Sequence, residues 1–211
     1  SGKKVWWKCN KGPDHEWEST IANRTNGTNC AICSGKIVVN STSLLTLEPE
    51  IAGQWHPTRN GTKSPADFAV YSNKIVWWKC DEGLDHEWES SINNRTNLRS
   101  KCPACGGQKV VLSNSIFTTH PSLAKEWHPS KNGELTPKDI TAGGDKKVWW
   151  KCDKGPDHEW ESVVHTRAVG GGCPICSGHK VSYSTSLLVT RPDIASEWHP
   201  TLNKHKSPSK F

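Results

Sequence analysis

The sequence predicts a tandem array of small α+β modules, each with a short β-hairpin and a short helix, in place of one large core. One pattern occurs three times: Val-Trp-Trp-Lys-Cys, then His-Glu-Trp, then Cys-x-x-Cys. The leading cysteines, Cys9, Cys80 and Cys152, are 71 and 72 residues apart. Only 33% of the 211 residues are hydrophobic, and the mean hydropathy is −0.69. Modules this small with so little apolar content need a stabilising link beyond burial.

The Val-Trp-Trp-Lys-Cys run predicts the first strand of each module. Alternation along a strand places Trp6 and Trp7 on opposite faces, and the same holds for the corresponding pairs of the other copies. Gly12-Pro13 then favours a turn, and His-Glu-Trp-Glu-Ser alternates as a second strand. A polar loop is expected from there to Cys-x-x-Cys. The glycines that suit the tight turn of a metal knuckle are Gly35, Gly106 and Gly178.

The spacing of cysteine and histidine predicts one metal site per module. Each copy holds an odd number of cysteines, which argues against disulfides within it, and thiolate ligation suits a reducing compartment. Three thiolates and one imidazole are a common ligand set of structural zinc, whereas iron and redox roles are the alternatives. The predicted ligands of three zinc ions are Cys9, His15, Cys30, Cys33, Cys80, His86, Cys102, Cys105, Cys152, His158, Cys173 and Cys176.

A closed tetrahedron of protein ligands leaves no open position for water or substrate, so we do not expect an enzyme. A second histidine also recurs, within Trp-His-Pro, at His56, His128 and His199. It could reach the metal from a helix end. The tight turn favours instead the histidine six residues after the first cysteine, and we expect the Trp-His-Pro histidines to make polar contacts.

A helix is predicted after each Cys-x-x-Cys. Pro49, Pro121 and Pro192 fit the first position of a two-turn helix, and the proline of Trp-His-Pro bars its continuation. Ile51 and Trp55 stand four residues apart and would share a face of that helix.

The predicted division of the chain follows from these repeats. The boundaries are 1–46, 47–118, 119–189 and 190–211.

Several motifs carry a resemblance to a known family: Lys-Val-Trp-Trp-Lys-Cys, His-Glu-Trp-Glu, Asn-Arg-Thr, Cys-Pro-x-Cys-x-Gly and Glu-Trp-His-Pro. They resemble the probable zinc-ribbon, treble-clef-like domain of unknown function, which occurs in tandem in bacterial, phage, giant-virus and plant proteins. The resemblance covers nearly the whole chain, with Ala31 and Gln54 as small departures. It implies a tandem array of zinc-ribbon or treble-clef-like fingers. In the family's phase Glu-Trp-His-Pro opens each domain, which implies a first finger without its opening helix segment, two complete repeats and the opening segment of a further repeat. Some members are joined to restriction-type nuclease domains, which implies that the chain is a nucleic-acid-targeting part of a larger protein.

The distribution of charge favours a polyanionic partner. The formal charge of +6 falls to about +3 when nine thiolates and three zinc ions are included. Residues 1–36 carry six Lys and Arg against three acids, whereas residues 37–73 carry two against three. We predict nucleic-acid binding, with DNA ahead of RNA. The predicted phosphate contacts are Arg24, Arg95 and Arg167, supported by Lys8, Lys79 and Lys151.

Other roles for the same residues stay open at this point. Each arginine could instead brace its hairpin against a nearby glutamate, namely Glu18, Glu89 or Glu161. One tryptophan of each pair could stack on unpaired bases or pack under a helix. A protein-interaction or scaffold array is the alternative function, since acids such as Asp81 and Glu82 flank the second finger. No apolar run approaches the roughly 20 residues that span a bilayer, so we expect no membrane partner. Thiolate ligation suits a reducing compartment, so we expect an intracellular location, cytoplasmic or in the nucleoid or nucleus.

Overall fold

The computed structural model describes residues 2–211, and three antiparallel β-hairpins organise them. The strands are β1 (Lys4–Lys8), β2 (Glu16–Thr20), β3 (Ile75–Lys79), β4 (Glu87–Ser91), β5 (Lys147–Lys151) and β6 (Glu159–Val163). By internal contacts the chain divides into two compact units, Ser1–Gly106 with two hairpins and Gly107–Phe211 with one. The repeat boundaries remain a prediction.

The three hairpins share one register. In the first, Trp7 lies opposite Trp17 and Lys8 opposite Glu16, and the other two pair in the same way. The Nε1 of Trp7 donates to the Ser19 carbonyl at 3.0 Å, as the corresponding tryptophans do in the other hairpins. The second tryptophan of each pair is thereby anchored on the inner face of its hairpin, and the first takes the opposite face.

A short helix follows each hairpin where the sequence predicted a polar loop. These helices are α1 (Ile21–Thr25), α4 (Ile92–Thr96) and α7 (Val164–Ala168). The Thr20 side chain caps α1 by accepting from the Asn23 amide at 3.2 Å, and Ser91 caps α4 in the same way. Each helix fixes the direction in which the chain enters the Cys-x-x-Cys knuckle.

The helix predicted to begin at Pro49, Pro121 or Pro192 begins there but has one turn and not two, and a further one-turn helix that the sequence did not predict precedes it. The prolines do stand at the first helical position of the second helix of each pair. The two helices are separated by Glu48, His120 or Arg191, whose non-helical backbone breaks the hydrogen-bond ladder. The second helix ends before Trp55. The helices are α2 (Leu44–Leu47), α3 (Pro49–Ala52), α5 (Ile116–Thr119), α6 (Pro121–Lys125), α8 (Leu187–Thr190) and α9 (Pro192–Ala195).

The Trp-His segment of the second repeat pairs with the outer edge of β3. Trp55 forms an antiparallel bridge with Trp78. The Lys79 amide donates to the Gln54 carbonyl at 2.7 Å, and the His56 amide donates to the Trp77 carbonyl at 3.1 Å. We call this pairing of an opening segment with its own hairpin the junction.

An asparagine completes each junction. The Asn60 side chain accepts from the Trp77 amide at 2.8 Å and donates to the Trp77 carbonyl at 2.9 Å. In the third repeat Asn132 makes the same two bonds with Trp149, at the same distances. The amide side chain thus satisfies both main-chain groups of one strand residue, which fixes the register of the junction.

The core of the third repeat lies between its opening segment and its hairpin. Trp127 meets Trp150 edge to face, with ring centroids 5.4 Å apart, and Trp127 Nε1 donates to the Leu135 carbonyl at 3.1 Å. The buried residues of this core include Ile116, Leu123, Ile140, Val148, Trp150, Trp160 and Val164. The first hairpin has a smaller buried cluster, formed by Trp17, Cys30 and Ile32.

The described part of the chain has no helix that combines the length and the apolar character needed to cross a lipid bilayer.

Candidate metal centres

Each finger gathers three cysteines and one histidine into a cluster in which all four ligand atoms lie within 4.8 Å of one another. In the first cluster the Sγ atoms of Cys9 and Cys33 are 3.7 Å apart, and Nδ1 of His15 lies 3.3 Å from Cys33 Sγ and 3.9 Å from Cys30 Sγ. The complete clusters are Cys9, His15, Cys30 and Cys33; Cys80, His86, Cys102 and Cys105; and Cys152, His158, Cys173 and Cys176.

The distances within these clusters fit a tetrahedral zinc ion. With Zn–S near 2.3 Å and Zn–N near 2.0 Å, neighbouring ligand atoms of a tetrahedron are about 3.5–3.8 Å apart. Cys80 Sγ and Cys105 Sγ are 3.5 Å apart, and Cys152 Sγ and Cys176 Sγ are 3.6 Å apart. In all three clusters the imidazole presents Nδ1 to the sulfurs. The three clusters therefore fit three zinc ions.

A family model described as "Probable Treble clef zinc finger domain" matches residues 1–36, 51–108 and 123–179, which is more than half of the chain. The chain belongs to this family. No curated protein is similar enough to match. The three matched segments each contain one complete Cys3His cluster, so each treble clef finger holds its own zinc ion.

The hairpin turn brings the histidine of each treble clef finger back to its first cysteine. The Cys80 amide donates to the His86 carbonyl at 3.1 Å. The imidazole packs directly on Gly83, where a Cβ atom would stand 2.6 Å from the His86 Cδ2. Glycine is required there by close approach, because any side chain would displace the metal-binding ring.

The Cys-x-x-Cys knuckle turns through a glycine in the left-handed region. The positive φ belongs to Gly35, Gly107 and Gly178, at 72°, 70° and 75°. The sequence prediction named Gly106 in the second finger, which is a correction by one residue. Two adjacent glycines stand there, and the one with the left-handed backbone lies two residues after the last ligand cysteine, as Gly35 and Gly178 do.

An aspartate ties the hairpin turn to the residues after the knuckle. Asp157 accepts from the Ser184 hydroxyl at 2.5 Å and from the Ser184 amide at 2.9 Å. These hydrogen bonds lower the pKa of Asp157 to about 2. Asp14 and Ser41 repeat the arrangement in the first finger. This link was missed because its partners are 27 residues apart.

The third thiol of each treble clef finger resists ionisation without a cation. Burial of its sulfur, together with the neighbouring sulfurs of Cys30 and Cys9, raises the pKa of Cys33 to about 11. The same causes raise the pKa of Cys105 to about 12 and that of Cys176 to about 11. A divalent cation removes this penalty, which is consistent with a zinc site and with proton release on metal binding.

The Trp-His-Pro histidines are not part of the clusters found among residues 2–211. His56 is buried, and its Nδ1 accepts from the amides of Thr58 and Arg59 at 3.2 and 3.1 Å. Its Nε2 lies 3.1 Å from a carboxylate oxygen of Glu87. His128 makes the equivalent contacts with Glu159. These histidines join the opening segment to the hairpin.

The burial of Arg95 and Arg167 contradicts the prediction that these two arginines contact phosphates. Arg95 and Arg167 are only 5% and 8% exposed, which leaves their guanidinium groups unable to meet a phosphate at the surface. The Arg95 guanidinium lies 5.3 Å from the ring of Trp78 and 5.2 Å from that of Trp88. Arg24 is partly buried between Trp7 and Trp17.

Each of these arginines joins parts of its treble clef finger. Arg95 donates to the Ser100 carbonyl near the knuckle and to the Gln54 side chain of the opening segment. Arg167 makes the same two contacts, with Gly171 and with Glu126. The glutamates Glu18, Glu89 and Glu161, considered as partners from the sequence, are not the ones used by Arg95 and Arg167.

The predicted supporting lysines are at the surface but are paired. Lys8 lies 2.9 Å from Glu16, opposite it in the hairpin register, and Lys151 lies 3.2 Å from Glu159. Lys79 is 3.7 Å from Glu87. Each carboxylate offsets the charge of its lysine, so these positions add little net positive potential.

The first tryptophan of each complete finger is covered by a cation of the opening segment. The Arg59 guanidinium lies 4.3 Å from the Trp77 ring centroid, and the Lys131 ammonium lies 4.4 Å from that of Trp149. These rings are therefore used within the repeat. Trp6 differs, since 70% of its surface is exposed.

Proposed function

We propose that the three zinc-stapled fingers form a nucleic-acid-binding module, with duplex DNA as the ligand and no catalytic role of their own. The observation that carries this proposal is a set of exposed lysines beside the metal ligands. Lys11 and Lys154 follow a ligand cysteine by two residues, and Lys101 directly precedes one. Unlike Lys8 and Lys151, they form no ion pair with another described residue.

The placement of these lysines favours a polyanion over a neutral ligand. Zinc fixes the knuckle and hairpin end of each finger, so the neighbouring ammonium groups are carried on ordered backbone. The opening segment of the second repeat has one more acid than base, so positive charge is concentrated on the fingers. Each neutralised phosphate releases counterions, and several lysine–phosphate contacts spaced along one polyanion together raise the affinity.

We place DNA ahead of RNA because some domains that resemble these fingers are joined to restriction-type nuclease domains. The finger helices α1, α4 and α7 have five residues each and are too short to fill a DNA major groove. We therefore expect binding through phosphates with little preference for sequence.

Fluorescence anisotropy tests this proposal with the zinc-loaded chain, duplex DNA, single-stranded DNA and structured RNA, each across a salt series. We expect duplex binding whose logarithm falls linearly with the logarithm of salt. The triple variant Lys11→Ala, Lys101→Ala, Lys154→Ala should flatten that slope by roughly one unit per lost contact. The matched control replaces the same lysines by arginine and should keep the slope.

Two results would overturn the proposal. One is the absence of binding to any of the three nucleic acids at low salt. The other is an alanine triple variant that retains three zinc ions and the full salt slope. Preference for RNA would keep nucleic-acid binding and replace the ligand.

A second candidate is recognition of an acidic peptide that carries an apolar residue. An apolar groove between α5 and α6 supports it, and Phe117, its main aromatic, is half exposed. Two lysines, Lys125 and Lys138, flank the groove, and the Lys138 ammonium lies 4.9 Å from the Phe117 ring. Binding to a peptide array that is lost in Phe117→Ser and kept in Leu84→Ser would support this function.

A further inference from the structure

Asparagine is followed by glycine at three places in the chain, and two of these pairs lie in a junction. The backbone nitrogen of the residue after an asparagine can attack the side-chain amide, and glycine leaves that nitrogen least shielded because it has no side chain. Each pair is therefore open to spontaneous deamidation unless its surroundings prevent the attack. The three pairs are Asn26-Gly27, Asn60-Gly61 and Asn132-Gly133.

The junction holds the side chain of its asparagine away from the following residue. Asn60 Oδ1 accepts from the Trp77 amide at 2.8 Å, and Asn60 Nδ2 donates to the Trp77 carbonyl at 2.9 Å. Ring closure needs the Asn60 Cγ to turn onto the Gly61 nitrogen, at an attack distance of about 3–3.5 Å. Both hydrogen bonds to Trp77 must break before this rotation can occur. Asn132 is held in the same way by Trp149.

The third pair lacks this restraint. Asn26 follows the last residue of α1, as Asn97 follows that of α4, and both asparagines are exposed. The Asn26 side chain forms no hydrogen bond with another residue among those that the structure describes. The same dipeptide is thus free in the first finger and locked in the two junctions.

The glycine after the junction asparagine is favoured by the backbone but not required by packing. Gly61 and Gly133 both have φ of 60°, and a Cβ atom at either would meet no heavy atom within 4 Å. Lys204, at the corresponding place of the last segment, adopts the same left-handed backbone with φ of 53°. A lysine at position 61 can therefore keep the turn while it shields the backbone nitrogen.

Deamidation would leave a junction that cannot close as before. The Gly61 nitrogen forms a bond to Asn60 Cγ, the Cγ–Nδ2 bond breaks, and ammonia leaves with the proton of the glycine nitrogen. Water then opens the succinimide to aspartate or isoaspartate. A carboxylate only accepts hydrogen bonds, so it cannot donate to the Trp77 carbonyl and repels it. Isoaspartate also adds one methylene to the main chain, which shifts the turn.

Zinc controls the strand that holds the asparagine. Trp77 lies in β3, three residues before the zinc ligand Cys80, and the Cys80 amide donates to the His86 carbonyl at 3.1 Å across the hairpin turn. Folding of small zinc modules is coupled to the metal, so a finger without zinc loses the fixed position of its hairpin. The partner of the Asn60 side chain is lost with it.

We propose that Asn60 and Asn132 are sites of spontaneous deamidation that the closed junction blocks and that loss of zinc from the same finger exposes. A finger that regains zinc soon keeps its asparagine and closes again. A finger that stays open acquires a permanent covalent change at the junction. The reaction needs only water, and it is independent of the nucleic-acid binding proposed above.

Peptide mass spectrometry of the whole chain, incubated at mildly alkaline pH, measures deamidation at each of the three pairs. Asn60 and Asn132 in the zinc-loaded chain should react at least about tenfold more slowly than in the same chain unfolded in denaturant, since two hydrogen bonds must first open. Asn26 should react faster than both in the zinc-loaded chain. A chelator should remove most of the protection at Asn60 and Asn132.

Two variants separate the junction from the metal. Trp55→Ala removes the ring that packs on Trp78, and with zinc in excess it should accelerate the reaction of Asn60, with Asn132 of the same molecule as the matched control. Gly61→Lys should keep Asn60 intact even after chelation. The proposal is overturned if Asn60 and Asn132 in the zinc-loaded chain react as fast as in denaturant, or stay protected after chelation. It also fails if Trp55→Ala with three zinc ions leaves the rate at Asn60 unchanged.

Discussion

The Arg167 guanidinium donates to the Glu126 carboxylate, a residue 41 positions earlier in the chain. Its Cζ atom lies 5.2 Å from the ring centroid of Trp150 and 5.1 Å from that of Trp160. One buried cation thus joins the opening segment, the hairpin and the loop before the knuckle. The second repeat makes the same link with Gln54 in place of the glutamate, so a neutral acceptor serves there equally.

We expect Arg167→Ala to destabilise the third finger by about 3 kcal/mol, because it removes a buried guanidinium with its ion pair to the partly exposed Glu126, two cation–π contacts and the packing of a buried side chain. Denaturant titration with zinc in excess measures this loss. Glu126→Gln is the matched control and should cost less than about 1 kcal/mol, since glutamine is the natural partner in the second repeat. A glutamine variant as unstable as the alanine variant would show that the charge of Glu126 is essential.

Asn132→Ala should cost about 2 kcal/mol, because it leaves the Trp149 amide without a partner in a partly buried junction and removes one of the two hydrogen bonds that the Trp149 carbonyl accepts. The control is Asn203→Ala, whose side chain has only a 3.4 Å contact with the His199 carbonyl. At low protein concentration this second variant should change the free energy of unfolding by under about 0.5 kcal/mol. Equal losses at the two positions would mean that the asparagine acts locally and not across the junction.

Gly83→Ala should weaken zinc binding in the second finger, because the new Cβ atom would meet the His86 ring at 2.6 Å. We expect a loss of about tenfold or more in zinc affinity at one of the three sites, measured by competition with a chelator. Gly143→Ala places its Cβ atom in open space and should leave all three sites unchanged. Retention of wild-type affinity in Gly83→Ala would show that the hairpin turn yields without cost.

Zinc affinity should rise with pH between pH 6 and 8. The thiols of Cys33, Cys105 and Cys176 have pKa values raised to about 11, 12 and 11, so they are protonated in the metal-free chain at neutral pH. Each zinc ion must displace at least one proton, and affinity therefore gains about tenfold per pH unit for each proton released. Calorimetry in buffers of different ionisation enthalpy counts these protons, and a count of zero would contradict the thiolate assignment.

The sequence was most informative about features that repeat over short distances. The ligand spacing, the hairpins and the opposite faces of the Trp-Trp pair follow from local periodicity, and the structure has all of them. Helix α1 was missed because five residues of Ile-Ala-Asn-Arg-Thr carry too weak a helical pattern to distinguish from a loop. The helix that begins at Pro49 was expected to include Trp55, but it ends at Ala52 because Trp55 instead pairs with Trp78 of the hairpin, a contact that local sequence does not reveal.

Long-range pairing explains the remaining differences. Arg95 recurs at a fixed place on a basic finger, which is also what a phosphate contact would show, and only tertiary packing places it between two tryptophans. Its partner Gln54 is 41 residues away, beyond the range over which local sequence identifies side-chain partners. The isolated bridge between the Trp-His segment and its hairpin was missed for the same reason, since such pairing depends on a partner that local sequence does not specify.

The pairing of each hairpin with the segment that precedes it determines where the gene for such an array can be cut and copied. A duplication with both breakpoints just after a knuckle, near Gly35 and Gly107, carries Trp55, Asn60 and the hairpin of β3 and β4 together. The new copy can then fold with all of its internal contacts. A fragment cut out of the array between Asn60 and Trp77 would instead carry a hairpin without its opening segment, which leaves a strand edge and a tryptophan exposed and favours aggregation.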